Sequence, residues 1–251
     1  MIQKISDFLF TNFKSGFFSL VFLGMLVSFS FLAGMLWMKV EYLKKGSGVL
    51  SGSDVNIPSN ASPPNVQNVK TDVAEPSQND HKTGNLNADI VLIEYSDYSC
   101  PYCKNFHTTM QQVMENYGDR IMWVLRHYPL TSIHPLAYKQ AAAAECISKI
   151  GGDKKFWEFT DKVFLSNTQV NEEELVKISG LLDINQDQYQ TCLADSATSE
   201  KVDADYSSGL NAGVDGTPTS FIMDLRTGEV SPIKGAMPYE QVKASIESML
   251  K

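Results

Sequence analysis

Basic residues are in short supply: 21 Lys and Arg stand against 29 Asp and Glu, a net charge of −8 over 251 residues. A chain so acidic repels a phosphate backbone, which excludes nucleic acid as a partner. Cysteine is scarce as well, with four residues. That is too few for a small scaffold stapled by disulfides in place of a core. Internal repeats are absent, which excludes a solenoid. Hydrophobic residues (43%) and charged residues (20%) lie near the globular average, so the chain is neither wholly disordered nor multi-spanning. Its length leaves room for one or two domains.

Charge is missing altogether between Ser15 and Met38. At about 1.5 Å per residue this run makes a helix of about 36 Å, enough to cross a hydrocarbon core of about 30 Å with some tilt. A secretory signal has an apolar region of only about 7–15 residues, and no small-x-small cleavage site follows here, so an uncleaved transmembrane anchor is expected at residues 15–38. A long cleaved signal is the competing reading. Lys4, Lys14 and the terminal amine precede the run, and Lys39, Lys44 and Lys45 follow it, so flanking charge does not set the orientation. From Gly46 to Asn85 aromatic residues are absent, while Ser, Asn, Pro and Gly abound. Such a stretch cannot bury enough apolar surface to offset chain entropy. Residues 39–85 are therefore expected to form a flexible linker, after an N-terminal segment at 1–14.

Pattern returns in residues 86–251, which hold 14 basic against 23 acidic residues. Apolar runs predict strands at Asp89–Tyr95, Ile121–Tyr128, Thr219–Asp224 and Glu229–Lys234. Phe106, Met110, Val113, Met114 and Tyr117 share one face of a helix that opens at Cys100. Helical pattern recurs over Ala137–Ile150, Lys155–Leu165, Glu172–Leu182, Gln186–Leu193 and Thr198–Asn211, with a last helix from Pro238 to Leu250. Phe156, Trp157, Phe159 and Phe164 read as core of the helical block, and Glu172–Glu174 as a solvated helix start. The order is β-α-β, a helical block at about 131–212, then β-β-α. This predicts an α/β sheet of thioredoxin type with a helical insertion.

Chemistry concentrates in Cys100-Pro101-Tyr102-Cys103. Cys100 falls at the N-cap, and Pro101 sits at the first helical position, where a missing N–H costs nothing. The Cys100 sulfur then faces unpaired N–H groups and the positive end of the helix dipole, both of which favour thiolate. Cys100 is thus the expected attacking and leaving sulfur, and Cys103, one turn in and more buried, the resolving one. Two other readings stand beside this. With His107 the cysteines spell half a zinc site, but no second ligand pair with zinc spacing follows. The pair could also be a purely structural short-loop disulfide. Neither metal nor other cofactor is expected.

Glu94 closes an apolar strand six residues before Cys100. Buried there, its carboxylate is costly when ionised and could pass a proton to Cys103 or tune it by charge; an exposed strand-end glutamate is the alternative. Gly216-Thr217-Pro218-Thr219 precedes another strand. A cis Pro218 would present the Thr217 backbone beside the cysteines, open to an incoming peptide strand; an ordinary trans turn fits the local sequence equally. His134, before Pro135, reads as a solvated loop residue, with a place on the substrate face as the alternative.

The runs Glu94–Cys103 and Gly213–Thr219 together resemble the active-site segments of DsbA-like thiol-disulfide oxidoreductases. The likeness covers Gly84–Lys251, with the two motifs in order around a helical block. It implies a thioredoxin fold carrying a helical insertion. It implies Cys100 as nucleophile, Cys103 as resolving thiol, Thr217-Pro218 as the cis-proline loop, Glu94 as the buried acid, and Arg126 as a weak match for a basic partner to that acid. Pro101-Tyr102 departs from the Pro-His of the best-known oxidants, which leaves the potential open. Some family members carry a second disulfide. An even cysteine count in an oxidising compartment is consistent with a Cys146–Cys192 bridge, and two separately buried thiols are the alternative.

The function these features imply is a membrane-tethered oxidoreductase that introduces disulfides into reduced exported proteins and is reoxidised by a quinone-linked membrane partner. That chemistry orients the chain, with residues 1–14 cytoplasmic and the domain outside the cytoplasmic membrane of a bacterium. An isomerase or reductase, a thiol-dependent assembly factor for metalloproteins, and a non-catalytic peptide- or metal-binding module are the alternatives.

Overall fold

A computed structural model describes residues 72–251. The expected anchor at 15–38 lies outside the described residues, and among those described no helix is long and apolar enough to cross a membrane. The chain forms β1 (His81–Gly84), β2 (Ile90–Ser96), α1 (Pro101–Tyr117), β3 (Ile121–His127), α2 (Ala137–Phe164), α3 (Glu172–Leu181), α4 (Gln186–Leu193), α5 (Ser196–Asn211), β4 (Thr219–Asp224), β5 (Glu229–Lys234) and α6 (Tyr239–Met249). The strands make one sheet in the order β1-β3-β2-β4-β5. β2 and β3 run parallel, while β1, β4 and β5 pair antiparallel to their neighbours.

Every residue of β2 and β3 is buried, as central strands covered on both faces require. The period of two divides their side chains between two cores. Ile90 and Leu92 join Ile121, Trp123 and Leu125 on the face covered by α1, α6 and the helical block. Val91, Ile93, Tyr95 and Val124 join Phe221, Met223 and Val214 on the other. There α5 presses close: a methyl group added at Gly209 would stand 2.6 Å from the Tyr128 ring and 3.0 Å from the Tyr95 ring. The long helix α2 turns at Gly152, whose φ of +79° leaves the helical region, between the two helical stretches expected at Ala137–Ile150 and Lys155–Leu165. Phe156, Phe159 and Phe164 lie in the core beneath it. Cys146 on α2 and Cys192 on α4 form a disulfide, with Cα atoms 5.7 Å apart.

The expected linker boundary needs correction. Residues taken as flexible up to Asn85 include β1, which adds to the sheet edge with His81 opposite Leu125 and Gly84 opposite Met122. The residues before it are pinned by Arg126. Its guanidinium donates to both Asp80 carboxylate oxygens at 3.0 Å and to the carbonyls of Ala74 and Glu75 at 2.9 and 3.0 Å. This also corrects the role expected for Arg126. It lies opposite Tyr95 in the β2–β3 register and donates to the Tyr95 hydroxyl, one residue out of phase with Glu94. The pleat therefore puts Arg126 and Glu94 on opposite faces of the sheet.

Candidate active site

β2 delivers the chain to Ser96, a three-residue loop follows, and α1 begins at Pro101 with Cys100 as its N-cap in extended conformation. Cys100 and Cys103 are free thiols, both buried. The Thr217–Pro218 peptide bond is cis, and the Thr217 carbonyl accepts from Cys100 Sγ at 3.4 Å. The two cysteines are electrostatically unlike. A hydrogen bond from the Cys103 side chain, helped by the backbone N–H groups of Cys103 and Tyr102, outweighs burial and lowers the Cys100 thiol to about 6. Burial pushes Cys103 well up, and the Cys100 and Glu94 charges push it further. Asp97 N–H donates to Cys103 Sγ at 3.5 Å.

Glu94 is fully buried. Trp123 Nε1 donates to one carboxylate oxygen at 3.1 Å, and the other oxygen has no partner. Burial raises its pKa despite that hydrogen bond. Pro101 and Tyr102 are exposed, Tyr102 by 64%, so they flank the sulfur on the outer surface. Beside Cys100 opens a groove of about 390 Å³, lined by Tyr98, Lys104, Gln140, Phe164 and Val170 among others.

His107 does not turn to the cysteines. Its buried ring pairs with Asp161 on α2 at 2.8 Å and packs against Phe164 and Trp123. His134 also departs from expectation. It pairs with the fully buried Asp97 carboxylate at 2.8 Å and is mostly covered. Asp97 is the residue that sequence reasoning passed over. Its two oxygens also accept from the backbone N–H groups of Ser99 (2.7 Å) and Leu130 (2.8 Å), so one side chain fixes the loop that carries Cys100. An aspartate two residues before a turn N–H, just ahead of a helix, is the signal that could have found it. The loop is tied to the helical block too, by Tyr98 Oη with Thr160 Oγ1 and by Ser99 Oγ donating to Gln140, each at 2.7 Å.

A thioredoxin family model (Thioredoxin_4) matches residues 76–248. The chain belongs to this thioredoxin family. Among solved structures, α-DsbA1 of Wolbachia pipientis is 24% identical with a TM-score of 0.62, over 71% of this chain and 94% of that one. The thiol-disulfide exchange protein α-DsbA2 of the same organism is 19% identical with a TM-score of 0.61, over 72% and 91%. A periplasmic thioredoxin-like protein from Salmonella enterica serovar Typhimurium is 18% identical with a TM-score of 0.57, over 68% and 90%. These likenesses establish that this thioredoxin-family chain shares the DsbA-like fold, with its helical insertion. Among curated proteins, a Na(+)/H(+) antiporter, NhaA 3 of Salinispora tropica, is 31% identical over 147 residues, 59% of this chain and 22% of that one. A second, NhaA 1 of Salinispora arenicola, is 31% identical over the same shares. The chain thus spans about a fifth of the length of these curated relatives.

Proposed function

We propose that the chain is an extracytoplasmic thiol-disulfide oxidoreductase, held to the membrane by residues 15–38, that introduces disulfides into reduced exported proteins. The observation that carries this reading is the Cys100 thiol at the head of α1, lowered to about 6 and set against the cis Thr217–Pro218 bond. A substrate thiolate attacks Cys100 of the Cys100–Cys103 disulfide. The Cys100–substrate bond forms and Cys103 leaves, taking up a proton because its burial favours the thiol. A second substrate thiolate attacks the substrate sulfur of the mixed disulfide, and Cys100 leaves as thiolate. Two electrons pass from substrate to enzyme, and a quinone-linked membrane partner removes them.

Glu94, on the same sheet face as Trp123, tunes Cys103 by charge, and its raised pKa suits it to hold a proton. Thr217-Pro218 offers backbone to an extended substrate, and Pro101-Tyr102 shapes the outer rim. The exchange function matches that of α-DsbA2, a thiol-disulfide exchange protein, and the location matches that of the periplasmic Salmonella protein. Thiolate stabilisation favours the oxidant over the isomerase or reductase, because a stabilised reduced form makes the disulfide a stronger oxidant.

The test is the reduction potential of the full chain, equilibrated in glutathione buffers. A value toward about −120 mV is expected for an oxidant, and one near about −270 mV overturns the disulfide-introducing role in favour of a reductant.

A further inference from the structure

On the sheet face that also carries Glu94, three side chains from three elements converge. His81 comes from β1, His127 from the end of β3, and Glu145 from α2. One Glu145 oxygen pairs with His81 Nε2 and with His127 Nε2, each at 2.8 Å. One ligand-capable atom from each residue lies within 4.8 Å of the other two. Both imidazoles are buried, and the Glu145 side chain is 12% exposed.

The geometry points to a divalent metal site at His81, His127 and Glu145, taking a first-row transition ion of the zinc class. Two imidazoles and a carboxylate are a ligand set of zinc that leaves a fourth position open, whereas calcium and magnesium take oxygen alone. Tetrahedral ligands about 2.0–2.1 Å from zinc stand about 3.3 Å apart, so the two Glu145–histidine separations of 2.8 Å would open by about half an ångström, within a cluster whose ligand atoms all lie within 4.8 Å of one another.

Two further features support it. The first is outside the ligands. Asp153 Oδ1 lies 3.4 Å from the other His81 nitrogen, the place of the carboxylate that orients a metal-bound histidine. Phe156 stacks on the His81 ring at 3.6 Å and holds its plane. The second is access: a cavity of about 580 Å³ opens on His81, Glu145 and Asp153, and leaves room for a water as fourth ligand. An ion here would clamp the edge strand, the central sheet and the helical block together at one point. It would act on the fold and leave Cys100 free for exchange.

The test uses the full chain without a histidine tag and with Cys100–Cys103 oxidised, so that the thiols bind no metal. After chelation it is titrated with Zn²⁺ and, separately, with Ca²⁺. One tightly held Zn²⁺ per chain is expected, with a Tm that climbs with zinc concentration and no comparable response to calcium. His81→Ala should weaken zinc at least tenfold. Asp153→Asn, at a largely exposed position, keeps the fold and should weaken it about tenfold, as loss of an orienting carboxylate does. No retained zinc, a preference for calcium, or either variant binding as tightly as the parent overturns the site. In the first case Glu145 merely holds two imidazole N–H groups.

Discussion

At the scale of the residue, the difference between Cys100 and Cys103 sets the chemistry. The largest influence lowering Cys100 is the hydrogen bond from Cys103. Cys103→Ala should therefore raise the Cys100 midpoint from about 6 toward the ordinary thiol value of 9.0, read from the pH dependence of its alkylation rate. The same shift has a signature in stability. A thiol whose folded pKa is depressed adds stability that is present above the unfolded value and lost as pH falls through the folded one. The reduced protein should accordingly gain on the oxidised one between about pH 6 and 8.5, followed as a difference in Tm, and in Cys103→Ala the rise of Tm over that range should be flatter than in the reduced parent. The sequence showed the N-cap position of Cys100 because Pro101 marks where the helix starts. It did not show Asp97, whose part depends on Leu130 and His134 folding back from the far end of β3.

At the scale of the element, α5 meets the sheet through a glycine. Gly209→Ala drives a methyl group into the Tyr128 and Tyr95 rings, and overpacking of this kind costs about 1–3 kcal/mol. Chemical denaturation should show the loss, with exchange at Cys100 retained in the folded fraction. Most elements were legible beforehand. The continuous apolar runs of β2 and β3 and the i, i+4 spacing along α1 follow directly from burial. β1 was not legible. His81-Lys82-Thr83-Gly84 has neither length nor apolar alternation, and only pairing with β3 and the contacts of His81 with Glu145 and Phe156 make it a strand. Arg126 was misplaced for a related reason. Its distance from Glu94 in sequence says nothing about sheet face, which the β2–β3 register decides.

At the scale of the whole molecule, the proposal combines a fold with a tether. Removing residues 1–38 should leave dithiol exchange unchanged in solution while abolishing sedimentation with membranes. A truncated chain that still sediments would refute the anchor. The correction at β1 shortens the proposed tether to residues 39–71, whose random-coil reach would be roughly 30 Å and would confine the domain near a membrane partner. Oxidative bridging at Cys146–Cys192 encloses 46 residues, and in the chain-entropy model such a loop adds up to about 4 kcal/mol. That cross-link lies within the helical block, which Tyr98 and Ser99 tie to the loop carrying Cys100.

The grip of Arg126 on the residues before β1 has a mechanical meaning. A protein leashed at one end feels every tug from substrate or membrane at the point where the leash joins the fold. On the proposed tether that point would be a buried guanidinium holding two carbonyls and a bidentate carboxylate. Pulling on residue 72 would strain Arg126 before it reached the four-residue strand at the sheet edge.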